Sequence, residues 1–184
     1  MWPNMPILGV VASSKTGRLT SFNSIATGIV DASGSSSITF SSIPQTFSHL
    51  QLRCYVKGTG ALSITFNGSA TGYVSTFTEG DGGGGTIGSG RDSTSASILL
   101  YGAVAATTPT NYFGHSVIDI PNYTNTNITK TLRALNGWDY NSANPKGYID
   151  LDGGFWNNTN AINSITVSAT SFVQNAQVSL YGIK

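Results

Sequence analysis

The clearest strand pattern in the chain reads His49-Leu50-Gln51-Leu52-Arg53-Cys54-Tyr55-Val56-Lys57. Every even-numbered residue in it is apolar, and every odd-numbered residue is polar or amphipathic. Because successive side chains of a strand point to opposite faces, this alternation predicts a strand with one face on a core. The sole cysteine falls on the apolar face, so we expect a buried thiol rather than a reactive one.

The same period of two recurs from Phe22 to the end of the chain, and no window shows the apolar spacing of an amphipathic helix. Gly, Asn, Ser and Pro separate the alternating runs, as turns require. The sequence therefore predicts an all-β domain over residues 22–184, an antiparallel, jelly-roll-like β-sandwich of about ten strands. Besides the opening stretch, strands are expected at residues 25–30, 37–40, 62–66, 98–104, 116–120, 130–135, 148–151, 162–167 and 177–183.

The composition limits the possible partners. The chain has 184 residues, of which 39% are hydrophobic and 9% are charged, and its formal net charge is +1. Disordered chains combine low hydrophobicity with high net charge, so this chain is expected to fold. Scattered basic residues and a net charge near zero argue against a nucleic-acid partner. We expect one domain with a neutral, hydroxyl-rich surface.

An apolar segment precedes the strands, within residues 1–21. It is too short to cross a bilayer and is interrupted by Pro, so no membrane insertion is expected. Exposed apolar surface usually marks an interface, which favours an extended N-terminal arm that docks on a partner protein. A disordered terminus is the alternative. The candidate docking residues are Pro6, Ile7, Leu8, Val10 and Val11.

Residues 79–92 are rich in glycine and are expected to form a flexible loop or an extended connection between strands. The letters GDGGGG (residues 80–85) match the spacing of a dinucleotide-binding fingerprint. A real fingerprint opens a helix whose N-terminus holds the pyrophosphate, and the Gly- and Ser-rich residues that follow here cannot begin a helix. We therefore expect no nucleotide and no other cofactor.

Side chains for acid-base chemistry or metal binding are scarce, with two His, one Cys and eight acidic residues in the chain. Asp150 and Asp152 lie two apart on one predicted strand, so their side chains point to the same face, about 7 Å apart. The pair lacks the rest of a calcium loop and the groove of a glycosidase. We expect no enzymatic activity and no metal site, and both histidines on the surface.

Aromatic residues gather between positions 138 and 156. Trp and Tyr anchor protein interfaces and stack on sugars, which makes several of them candidates for a subunit interface or a glycan contact. The alternative is that they fill the core, since aromatic residues are common in strands. The candidates are Trp138, Tyr140, Tyr148 and Trp156.

Eight phrases span nearly the whole chain: MPILGVVASS (residues 5–14), ITFSSIPQTF (38–47), HLQLR (49–53), FNGS (66–69), IDIPNY (118–123), FWNNTNAI (155–162), SIT (164–166) and LYGI (180–183). Taken in this order, they resemble the minor tail and tail fibre proteins of tailed bacteriophages. The resemblance implies a virion component on the particle exterior, present in several copies, with a homotrimer as the expected assembly. It brings no catalytic or cofactor residue.

The resemblance also implies where the protein works and with what. It would be made in the host cytoplasm, and its partners would be copies of itself, other virion proteins and, as a further candidate, a host-surface glycan. Three functions stay open at this point. They are a tail-associated protein that contacts the host through loops such as residues 79–92, a capsid decoration protein anchored by its arm, and, third, a glycan-acting enzyme.

Overall fold

A computed structural model describes residues 21–81, 87–100, 104–105, 112–138 and 147–184. Every regular element in these ranges is a strand, which confirms the predicted all-β class. The strands, in chain order, are β1 (Phe22–Ile29), β2 (Ser35–Phe40), β3 (His49–Thr59), β4 (Leu62–Phe66), β5 (Tyr73–Asp81), β6 (Ile87–Ser95), β7 (Ile98–Leu100), β8 (Val104–Ala105), β9 (Gly114–Pro121), β10 (Lys130–Trp138), β11 (Tyr148–Trp156), β12 (Ile165–Phe172) and β13 (Gln177–Ile183).

Strand β3 joins two groups of strands. The larger group has the order β6-β5-β11-β10-β9-β3-β13-β1 and is antiparallel throughout. In the smaller group β12 pairs with β2, β4 and the end of β3, β4 pairs with β7, and β8 runs parallel to β3. The predicted jelly-roll-like sandwich is not confirmed, because pairing through β3 links both groups into one barrel-like sheet.

One core fills the space between the two groups. The apolar face of β3 lies in it, as predicted, through Leu50, Leu52, Cys54 and Val56. Burial raises the pKa of the Cys54 thiol to about 12, so this cysteine stays protonated at neutral pH. The opposite face of β3 is only partly exposed, because Gln51 and Lys57 are also buried.

An aromatic stack stands at the centre of the core. The rings of Tyr73 and Trp156 are stacked with centroids 5.9 Å apart, and Phe66 packs against both. The hydroxyl of Tyr73 accepts a hydrogen bond from the backbone N–H of Phe66 at 2.8 Å. This bond satisfies a polar atom that would otherwise be costly to bury.

The buried side chain of Lys130 lies at one end of the core. The Nζ of Lys130 donates to the backbone carbonyls of Asn125, Ile128 and Thr159 at 2.6, 2.8 and 2.9 Å. Desolvation lowers its pKa. The three bonds tie the turn before β10 to the loop after β11, so this charged side chain organises loops rather than facing solvent.

The glycine-rich segment is strand where the structure describes it. Strand β5 continues to Asp81 and β6 begins at Ile87, so a flexible loop over residues 79–92 is wrong for these parts of the segment. The glycines let β5 and β6 pair closely. A Cβ at Gly90 would lie 2.5 Å from the ring of Phe77, and one at Gly88 would lie 2.6 Å from Oε1 of Glu79.

Among the described residues no helix is long and apolar enough to span a bilayer.

Gly154 tests the packing of the core. A Cβ at this position would lie 2.5 Å from Cγ2 of Ile98 and 2.8 Å from Cγ of Leu132, so Gly154→Ala overpacks the interior. We expect it to lower the free energy of unfolding by about 1–3 kcal/mol in urea titrations. The matched change Gly80→Ala, whose Cβ would meet Ile149 at 3.7 Å, should stay within about 0.5 kcal/mol. Equal effects of the two changes would contradict this packing.

Candidate functional site

The aromatic candidates separate into different environments. Trp156 is 2% exposed inside the core stack, so it is not on the surface where a partner or a glycan would contact it. Trp138 and Tyr148 are direct cross-strand partners on β10 and β11, with ring centroids 5.1 Å apart, and both are half-buried. Tyr140 lies outside the described residues, as do the arm candidates Pro6, Ile7, Leu8, Val10 and Val11, which remain predictions.

The outer face of the larger strand group carries an exposed apolar surface. The composition had predicted a hydroxyl-rich surface instead. We call this surface the outer patch. Its members and their exposed fractions are Ile87 (77%), Val117 (40%), Leu135 (54%), Ile149 (61%) and Leu151 (52%).

The outer patch is contiguous because of the strand register. Leu135 stands directly between Val117 and Leu151. Ile149 is opposite Gly80, which in turn is opposite Ile87. Four strand spacings separate β6 from β9, so the patch is roughly 19 Å wide. A shallow groove of about 610 Å³ overlaps the patch and is lined by Val117, Leu135 and Ile149 together with Trp138 and Tyr148.

A polar network borders the outer patch. Arg133 forms an ion pair with Asp119 at 3.1 Å, and Gln51 donates to the same carboxylate at 2.8 Å. Nε of Arg53 donates to Gln51 at 2.9 Å, and its guanidinium lies 5.0 Å from the ring centroid of Tyr181. The polar groups on this part of the face are therefore matched to one another.

The inner face behind the outer patch is polar. Ser116, Asn136, Asp150 and Glu79 stand opposite one another in register on β9, β10, β11 and β5. We call these four residues the polar row. The first three are at most 2% exposed. The inside-outside polarity of the sheet is thus reversed at this end, with polar side chains inside and apolar side chains outside.

The two aspartates of β11 both face inward. Asp150 and Asp152 are each 1% exposed, which confirms that they share a face. Nδ2 of Asn136 donates a short hydrogen bond to Oδ2 of Asp152. Burial, together with the nearby charge of Glu79, raises the pKa of Asp150 to about 6.

The remaining candidates for chemistry are dispersed. Nδ1 of His49 accepts a hydrogen bond from the backbone N–H of Asn122 at 3.1 Å. His115 is exposed, and its ring lies 5.0 Å from that of Tyr55. In the part of the chain that the structure describes, no three His, Cys, Asp or Glu side chains are grouped so as to hold a metal ion.

The chain matches no protein-family model, no curated protein and no solved structure. Its function is therefore inferred from the outer patch, the polar row and the sequence phrases.

Ionisation of Asp150 should make stability depend on pH. The folded-state pKa of about 6 lies above the ordinary value of 3.8, so the folded state holds this proton more tightly than the unfolded chain does. Stability is then lost as the pH rises from about 4 through 6, by up to about 3 kcal/mol. Asp150→Asn removes this loss. In EDTA-containing buffer, the free energy of unfolding of the variant should therefore increase relative to that of the parent protein as the pH rises through this interval. Urea unfolding at pH 4 and pH 8 measures the gain, and a pH-independent difference would contradict it.

Proposed function

We propose that this protein is a non-enzymatic, homo-oligomeric component of the exterior of a tailed bacteriophage particle, associated with the tail. The observation that carries the proposal is the outer patch. Large contiguous apolar surfaces on folded domains usually mark interaction sites, because exposing them to water is unfavourable. A domain that buries this surface against other protein subunits has the character of a structural component.

A second copy of the chain is the occupant that the outer patch fits best. Its members bear no charge, so a partner recognised by opposite charge is not required. A sheet face of this width supplies the apolar centre of an interface of standard size, about 800 Å² on each partner. The bordering Arg133, Asp119 and Arg53 would form the polar rim. We propose a homotrimer, the assembly that the resemblance implies.

The location on the particle follows from the resemblance to minor tail and tail fibre proteins. A neutral surface and a domain without long charged segments are compatible with that role. We also retain the jelly-roll-like sandwich as the proposed architecture of residues 22–184, because both strand groups contribute to one core. Capsid decoration, with the N-terminal arm as the anchor, is the other outcome that the particle experiment distinguishes.

Self-association can be tested with a charge placed on the outer patch. Leu135→Asp introduces a carboxylate at the centre of the proposed interface, where burying it is costly. We expect the parent protein to sediment as a trimer at micromolar concentration and Leu135→Asp to sediment as a monomer. Thr131→Asp is the matched control, because Thr131 is exposed on the same face of β10 outside the patch. A monomeric parent protein, or a trimer insensitive to Leu135→Asp, would refute the interface.

Location can be tested on intact virions with antibodies raised against the purified domain. Gold label should appear along or at the tip of the tail in negatively stained particles. Label over the head would replace the tail assignment with capsid decoration. Absence of label from both, with the chain undetectable in purified particles by mass spectrometry, would refute the virion role.

A further inference from the structure

The polar row contains buried oxygen atoms that lack partners. Oγ of Ser116, Oδ1 of Asn136 and both carboxylate oxygens of Asp150 have no hydrogen-bond partner among the described residues. The three side chains come from three adjacent strands and stand directly opposite one another on the inner face. Paired residues of an antiparallel sheet have Cβ atoms about 5 Å apart, so these oxygen atoms share one small region.

Burying these groups without a partner is unfavourable. An unpaired polar atom destabilises the folded state, and an unpaired carboxylate does so more strongly. The hydrogen-bond donors of β10, the strand that carries Asn136, bond to other groups. Nδ2 of Asn136 bonds to Asp152, Nζ of Lys130 bonds to three carbonyls, and Arg133 lies on the outer face. The described residues therefore supply no donor to these acceptors.

We propose that the polar row binds a divalent cation of the Ca²⁺ type, with Asp150, Asn136 and Ser116 as its ligands. Carboxylate, amide and hydroxyl oxygens are the donors that hard cations prefer, and Ca²⁺ accepts six to eight of them in flexible geometry. A cation between the strands satisfies the orphan oxygens together and removes the need to neutralise Asp150 by protonation.

Glu79 supplies a second carboxylate to the same site. It stands directly opposite Asp150, and its side chain now extends over Gly88, where a Cβ would lie 2.6 Å from Oε1. Repulsion between the two carboxylates favours this orientation toward β6 and away from Asp150, and a bound cation removes that repulsion. Rotation of the Glu79 side chain toward Asp150 completes the protein ligands, and water molecules fill the remaining positions.

The site is expected to be weak. Its ligands include two carboxylates and two neutral oxygens, and the acidic side chains are not already gathered around one point. Calcium sites with few charged ligands bind in the range of about 10⁻⁴–10⁻³ M. Trp138 and Tyr148 lie on the same face immediately beyond Asn136 and Asp150, so their excitation should sensitise luminescence from Tb³⁺, which replaces Ca²⁺.

The experiment uses the full chain, first stripped with EDTA and then exchanged into chelator-free buffer. Ca²⁺ is titrated by calorimetry, and Tb³⁺ is titrated by luminescence excited at 280 nm. We expect saturable binding with a Kd of roughly 10⁻⁴–10⁻³ M, a rise in the thermal midpoint with added Ca²⁺, and displacement of Tb³⁺ by Ca²⁺. Asp150→Asn should weaken binding at least tenfold.

Two further variants separate ligand loss from misfolding. Asn136→Ala removes a neutral ligand and should weaken binding at least threefold, even if Asp150→Asn does not fold. Asp119→Asn is the matched control, because it makes the same chemical change on the outer face and should leave the Kd unchanged. Absence of saturable binding of Ca²⁺, Mg²⁺ and Tb³⁺, or unchanged binding by a folded Asp150→Asn or Asn136→Ala, would overturn the site. The oligomeric state measured by sedimentation is a separate readout, so failure here does not bear on the proposed interface.

Discussion

Continuous backbone pairing along β3 determines which side chains of this protein face the core. This strand pairs with β13 and β9 over most of its length and with β12 and β8 at its end. Its even-numbered side chains therefore lie in a core to which both strand groups contribute. Side chains alternate along paired strands wherever no bulge interrupts the register, so fixing the faces of β3 also fixes those of β9, β10 and β11.

The reversal of polarity at the strand ends follows from the same constraint. Trp156 belongs to the inner face of β11, and the period of two then places Asp152 and Asp150 inside as well. Ile149 and Leu151 must face outward. A one-residue slip would reverse these four positions, but it would expel Trp156 from its stack with Tyr73. The core therefore dictates the polar row and the outer patch together.

Much of the fold can be predicted from alternation alone. The strand at residues 49–57, the burial of Cys54 and the shared face of Asp150 and Asp152 all follow from the period of two. The structure differs from the sequence prediction where the local sequence pattern favours one conformation and a contact with a distant residue favours another. Glycines at residues 79–92 suggest a loop, but they also let Phe77 and Glu79 lie against a neighbouring strand. No local pattern reveals this packing, because it depends on the pairing of β5 with β6.

The site is harder to predict, because a hydrophobic side chain normally indicates a position that faces the core. Leu135, Ile149 and Leu151 read as core residues by that rule, yet they are exposed. The signal lies in the numbering of β11: Trp156 is buried, so the other even-numbered residues of this strand face inward and Ile149 and Leu151 face outward. Likewise, Lys130 resembles a surface charge in the sequence, and only the three carbonyls around it explain its burial.

Native-state amide hydrogen exchange tests most directly whether β3 joins both strand groups into one cooperative sheet. Amides of β9 and β13, on one side, and of β12, on the other, should exchange with the same free energy as the central amides of β3, equal to that of global unfolding. If the amides of β12 and its neighbours β2 and β4 exchange with an opening free energy several kcal/mol lower than those of β9 and β13, the two strand groups unfold separately. That result would contradict a single cooperative sheet joined by β3.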